Sequence, residues 1–293
     1  MGRCRLFGAE ARLAFRVGDI YRRISDETFD YYRCSRCLSI VLEPIPADLG
    51  RYYPADYYRL PESADGLSPL IEEERYKLDI VRRQRSSGRL LDIGPSAGAF
   101  PYLAKQSGFD VSAMEMDSAC CRFLERVVGV RVIETDDPAQ ALRSEGDYDV
   151  ITLWHVIEHL PSPWEVLAEA AKKLRPGGLL VIAAPNPESL QFRVFGRYWM
   201  HLDAPRHLQL IPVAEIVKRA TSNQLRPVEI TTRDRGTLTC NAAGWKGSTA
   251  MWLTGHSVRV LRWKLGGALA LAATPFDRMG RLGSAYAVVL GPE

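Results

Sequence analysis

Short apolar and β-branched runs alternate along most of the chain with segments of helix length. Strand candidates fall at 89–93, 110–115, 131–134, 148–153, 179–184, 227–232 and 285–290. Helix-length spacing between them is the pattern of a parallel sheet joined by crossover helices, so the expected class is α/β with seven strands. Ahead of the first strand, residues 69–85 carry strong helix formers with charges at helical spacing and predict a helix linking into the sheet. The crossover after the fourth strand begins Ser162-Pro163-Trp164-Glu165, read as a capping box, and stops before Arg175-Pro176-Gly177-Gly178. Residues 1–60, rich in Cys, Tyr and Arg, read as a small irregular module. Residues 61–293 read as the main domain, with a helical insertion at about 240–280 before its last strand.

Composition narrows the class. The chain has 293 residues, 46% hydrophobic and 25% charged, which is average globular usage and excludes disordered and fibrous types. A net charge of +3 is too small to imply a nucleic-acid partner by bulk electrostatics. Six cysteines are too few for a disulfide scaffold, and the start lacks the apolar run of a secretion signal, so a cytoplasmic protein with reduced thiols is expected. The longest apolar stretch, 265–276, falls short of the roughly 20 residues that a spanning helix needs.

Candidate chemistry begins where the first strand ends, at Asp92-Ile93-Gly94-Pro95-Ser96-Ala97-Gly98. Gly94 allows a sharp turn off the strand, and Gly98 lets the next helix open close to a ligand. Ser96 narrows that turn but carries a hydroxyl able to donate, and Pro95 lacks an N–H. One strand later, Glu115 is placed to accept two ribose hydroxyls, with Met116 beside it. Turn and acid together suggest a ligand containing adenosine.

These segments resemble the class I S-adenosylmethionine-dependent methyltransferases. Further matches are Glu134-Thr135-Asp136, the run 149–160 that includes Trp154, Leu174-Arg175-Pro176-Gly177-Gly178 and Pro185-Asn186. The resemblance spans about residues 70–292. It implies a Rossmann-like, mostly parallel sheet with helices on both faces, and S-adenosyl-L-methionine as methyl donor. Asp92, Gly94, Ser96, Gly98, Glu115, Met116, Asp136 and Trp154 would be the donor-binding residues. A nicotinamide dehydrogenase uses a related turn, but prefers a Gly-x-Gly-x-x-Gly frame that is missing here.

Four of the five histidines lie between residues 155 and 207. His155 leaves the carboxyl end of the fourth strand, where open α/β sheets place reacting groups, and His159 follows one helical turn later. His201, Asp203, Arg206 and His207 lie after the fifth strand. Methyl transfer needs alignment and, for a hydroxyl or acidic carbon, removal of a proton, which suits histidine. The expectation is that His155 or His207 acts as base, with Asp203 or Glu158 orienting an imidazole, His159 alongside, and His201, Arg197 and Arg206 meeting the acceptor.

The amino-terminal segment resembles the zinc-ribbon-like piece that precedes this domain in some bacterial relatives. Cys34-Ser35-Arg36-Cys37 has ligand spacing, but Cys4 is followed by Phe7 where a second Cys would stand. A closed structural zinc site needs four ligands, so the expectation is loss of the metal, with Cys4, Cys34 and Cys37 as ligands only if another group completes the set. Cys120 and Cys121 read as helix packing, and Tyr52, Tyr53, Tyr57 and Tyr58 mainly as a satellite core. The basic stretch 257–265 around Trp263 suggests either peripheral membrane contact or packing. The favoured activity is methyl transfer to oxygen or carbon of a small-molecule or saccharide acceptor. RNA methylation and a non-catalytic donor-binding scaffold are the alternatives, and the sequence gives no oligomeric state.

Overall fold

The computed structural model describes residues 2–54, 57–253, 259–279 and 281–292. In chain order the elements are β1 (Gly2–Arg3), β2 (Glu10–Gly18), β3 (Thr28–Cys34), β4 (Ile40–Leu42), α1 (Ser68–Arg82), β5 (Gly88–Ile93) and α2 (Ala99–Gln106). There follow β6 (Phe109–Glu115), α3 (Ser118–Phe123), β7 (Arg131–Glu134), α4 (Pro138–Ser144), β8 (Tyr148–Trp154), α5 (Pro163–Lys172), β9 (Leu174–Pro185) and α6 (Leu190–Phe195). The chain ends with β10 (Gln209–Leu210), α7 (Val213–Thr221), β11 (Leu225–Thr231), α8 (Arg235–Trp252), α9 (Arg259–Asp277) and β12 (Ala285–Pro292).

Seven strands form the main sheet in the order β11-β12-β9-β8-β5-β6-β7, with β12 antiparallel to both neighbours. The class I expectation of a mostly parallel α/β sheet is met. Strands buried on both faces read as continuous apolar runs, and β8 is buried at every position. Its side chains divide between two cores. Leu91, Ile93, Ile151 and Leu153 pack beneath α4, α5 and α7, whereas Leu90, Val150 and Trp154 pack beneath α1, α2 and α3. Chain order reverses on either side of β5, so β5 and β8 form the switch point at whose carboxyl edge such sheets bind ligands.

Three details depart from the sequence reading. Residues 1–60 are not irregular: β2 and β3 make an antiparallel hairpin that β4 extends, and β10 from far along the chain completes the five-stranded sheet. Ser162 occupies the cap position of α5, with Pro163 opening the helix, but its side chain makes no capping hydrogen bond. The Pro176-Gly177-Gly178 stretch lies within β9, where pairing with β8 shifts register between Tyr148 and Val150 and Gly177 takes φ +76°. The anticipated turn is thus a kink inside a longer strand.

The insertion before β12 is the helical pair α8 and α9. They cross closely at Gly266, where a Cβ would meet the Lys246 backbone at 2.6 Å. No described helix is long and apolar enough to cross a membrane. Of the basic stretch 257–265, Ser257 and Val258 lie outside the described residues, while Trp263 and Leu265 are exposed on α9.

Candidate active site

The turn after β5 is built from left-handed backbone: Gly94 at φ +70°, Ser96 at +55° and Gly98 at +76°. Gly94 has a second constraint, since a Cβ would lie 2.7 Å from Val156, the residue after His155. At Gly98 a Cβ would run into Leu124. The two glycines thus bring the turn close to the exit of β8 and to the helix after β6.

Glu115 ends β6 with its carboxylate buried, receiving the Ser96 N–H on Oε2 at 3.0 Å and the Met116 and Asp117 N–H groups on Oε1 at 2.8 and 3.0 Å. Burial raises its pKa above the usual carboxylate value, against the pull of these donors. A carboxylate offers about four lone-pair positions, so three are already used and one on Oε2 remains open. The expected pair of ribose hydroxyl bonds is therefore reduced to one, unless a backbone donor gives way. Asp92 is directed into the sheet, receiving the Thr152 hydroxyl at 2.6 Å, and burial pushes its carboxyl up to about 7. Trp154, at the end of β8, packs edge-on against Phe100 and Tyr76 and leaves its buried Nε1 without a partner. An open carboxylate position beside a left-handed turn fits a bound adenosine derivative. Asp136 and Met116 are exposed at the ends of their strands, and Met116 retains 63% of its surface.

Beyond β8 the chain forms a second cluster. His155 takes φ +58°, and its Nδ1 lies 3.6 Å from Oε1 of Glu158, a carboxylate only 1% exposed. Burial alone would raise the Glu158 pKa, but the neighbouring His155 outweighs it and holds the group below the usual range. Loop 199–207 returns over this point, because Leu208 donates its N–H to the Glu158 carbonyl at 2.8 Å and the Gln209 amide donates to Ile157 and Leu160. His159 and His207 stack edge to face at 4.6 Å. Nδ1 of His207 lies 2.8 Å from the His201 carbonyl, and Nδ1 of His159 lies 3.0 Å from the Arg206 carbonyl and 3.1 Å from the Tyr53 hydroxyl. Burial lowers His207 to about 4, so its imidazole is neutral near pH 7.

Other sequence candidates take different places. Arg206 is 1% exposed and bound to both Asp19 and Asp203, which removes it from any grip on an acceptor. Asp203 is correspondingly spent on Arg206, and orients no imidazole by a direct bond. His201 is turned onto the Cys240 carbonyl at 3.1 Å, with burial lowering it to about 4. Arg197 lies exposed over the ring of Tyr198. Sequence reasoning placed Tyr53 mainly in a satellite core; instead its hydroxyl reaches His159, and its ring begins an edge-to-face series through Tyr57 and Tyr58. No local motif marked it, because the contact joins positions 106 residues apart.

Cys4, Cys34 and Cys37 converge, their buried sulfurs within 4.8 Å of one another. Phe7 turns away, edge-on to Trp164 with the Arg219 guanidinium 4.5 Å from its ring. Among the described residues the cluster ends at three ligands. Such a set does not by itself fit a closed four-ligand zinc site. Cys120 and Cys121 are buried in α3.

Comparison with known proteins agrees with this fold. The family described as methyltransferase domain matches residues 71–230. The chain is 28% identical over 163 residues to a ubiquinone biosynthesis O-methyltransferase of Pectobacterium carotovorum, covering 50% of this chain and 68% of that one. A Burkholderia orbicola protein of the same name is 29% identical over 153 residues, 48% of this chain and 66% of the relative. The chain thus spans about two thirds of the length of these relatives. Among solved structures, a SAM dependent methyltransferase from Archaeoglobus fulgidus shares the fold with TM-score 0.52 and 19% identity over 76% of this chain and 93% of its own. On a family match over more than half its length, and with the matching sheet and turn, the chain belongs to the class I S-adenosylmethionine-dependent methyltransferases.

Proposed function

We propose that the protein methylates an oxygen of a small-molecule acceptor seated between the exit of β8 and the loop 199–207, with His155 taking the acceptor's proton. The observation that carries this reading is the pose of His155: left-handed backbone at the switch point of the sheet, with Nδ1 3.6 Å from the buried Glu158 carboxylate. A carboxylate on that side favours the tautomer with hydrogen on Nδ1, leaving Nε2 to accept a proton. The Gly94–Gly98 turn, the open position on Glu115 and Trp154 Nε1 would hold the donor. When bound, S-adenosylmethionine supplies a methyl on cationic sulfur, which passes in line to the acceptor oxygen and leaves S-adenosylhomocysteine. Similarity to O-methyltransferases favours oxygen over carbon as the accepting atom.

Labelled S-adenosylmethionine incubated with a panel of vicinal diols, phenols and sugars tests the reading. Wild-type protein is expected to label at least one acceptor, and His155→Ala to turn over about 10²–10⁴-fold more slowly with unchanged donor affinity. A His155→Ala enzyme as fast as wild type would remove the proposed base. Donor binding with no labelled product across the panel would favour a scaffold over an enzyme.

A further inference from the structure

We propose that Glu158, His159 and His207 hold a divalent first-row metal cation, and that this cation carries the acceptor oxygen. One ligand atom from each of the three residues lies within 4.8 Å of the other two. Their hydrogen-bond roles make this more than a cluster. A carbonyl can only accept, so the 2.8 Å contact of His207 with the His201 carbonyl and the 3.0 Å contact of His159 with the Arg206 carbonyl place hydrogen on both Nδ1 atoms. Both Nε2 atoms are then bare lone pairs. Backbone carbonyls holding Nδ1–H in this way are the usual outer support of metal-binding imidazoles.

Glu158 supplies the independent sign. Its side chain is 2% exposed and neither oxygen has a hydrogen-bond partner, the nearest group being His155 Nδ1 at 3.6 Å, beyond hydrogen-bond range. A buried carboxylate without donors is costly, and beside it stand two imidazoles that present no proton to it. Two neutral imidazoles and an unpartnered buried anion, each offering a ligand atom within 4.8 Å of the others, call for a positive charge among them. Two histidines and one carboxylate match divalent zinc, manganese, iron or cobalt sites that keep open positions. Ligand atoms on one such ion stand about 3–4 Å apart, so closure asks only modest side-chain rotation. An open position would take an acceptor hydroxyl and make its proton easier to lose to His155. This last role rests on the methyl-transfer reading above.

The full chain, stripped with chelator, is titrated with Mn²⁺ while the signal of the free ion is followed by electron paramagnetic resonance. Mn²⁺ prefers oxygen and nitrogen to thiolate, which keeps the three cysteines silent. We expect about one ion per chain, Cys37→Ser to bind as wild type does, and Glu158→Gln and His207→Ala each to weaken binding by about 100-fold or more. Calorimetric titration of S-adenosylmethionine into each variant reports whether it is folded, and His159→Asn replaces any that is not. Absence of stoichiometric Mn²⁺ and Co²⁺ binding by wild type overturns the proposal, as does a folded Glu158→Gln protein that binds undiminished. Ion binding without donor binding would sink the methyl-transfer reading and leave the cation site standing; donor binding and turnover without ion binding would do the reverse.

Discussion

The guanidinium of Arg206 lies 2.6 Å from the carboxylate of Asp19, both side chains fully excluded from solvent and 187 residues apart in the chain. Arg206 also binds Asp203 at 2.8 Å, and its carbonyl receives Nδ1 of His159. One buried cation therefore ties the amino-terminal hairpin to the loop that carries the imidazole cluster. Arg206→Ala would leave the buried Asp19 with only the Arg22 and Ile24 N–H groups and take the partner from the half-buried Asp203, and the expected loss is about 3–5 kcal/mol of unfolding free energy in urea. Arg206→Lys should recover little, because an ammonium cannot reproduce the fork that spans both acids. A loss below about 1 kcal/mol would mean that the acids are solvated when the arginine is gone.

Asp92 gives a stability that depends on pH. Burial raises its carboxyl to about 7, so between pH 4 and 7 the folded chain holds a proton that the unfolded chain has released. More protons bound in the folded state means that this contribution is complete at low pH and declines as pH rises through the window, by on the order of 3 kcal/mol. Asp92→Asn removes the titration. Urea midpoints at pH 5 and pH 8 should converge in the variant relative to wild type; an unchanged difference between the two pH values would clear Asp92 of the effect.

Glu115 should be weighed as both clamp and ligand. Glu115→Ala frees the Ser96, Met116 and Asp117 N–H groups and removes the open acceptor position, so S-adenosylmethionine affinity should fall by about 10–100-fold. Calorimetry decides this directly, and equal affinity in the variant would leave the acid as a loop clamp alone.

Gly98→Ala combines a left-handed φ of +76° with a methyl group aimed at Leu124. The expected cost is about 1–3 kcal/mol in chemical unfolding, together with weaker donor binding as the turn shifts. Gly108→Ala, also at positive φ but with open space around it, is the control for backbone strain alone. Equal losses in the two would show that packing on Leu124 adds nothing.

The main sheet was legible because its strands are buried on both faces and so read as unbroken apolar runs, and because the turn after β5 and Glu115 are local in sequence. Element boundaries shifted where chemistry was ambiguous: Pro176-Gly177-Gly178 signals a break, yet the strand passes through it as a kink. The pairing of β4 with β10 could not be read, since a two-residue strand has no periodicity of its own. Arg206 misled for a physical reason. An arginine in a histidine-rich loop looks like an anion clamp until its distant partner, Asp19, is known. His159 and His207 gained their common setting from tertiary hydrogen bonds to Tyr53 and to backbone carbonyls, none of which leaves a spacing signature.

The insertion of Gln209–Leu210 beside Ile40–Leu42 bears on how acceptor preference could be re-engineered. A chimera that exchanged only the first sixty residues would set a foreign edge against that strand and a foreign side chain against the Arg206 guanidinium. Exchanging only the loop would create the same two mismatches from the other side. The hairpin and the loop 199–210 form a single unit split across the sequence, and any exchange of the proposed acceptor loop requires moving both halves together.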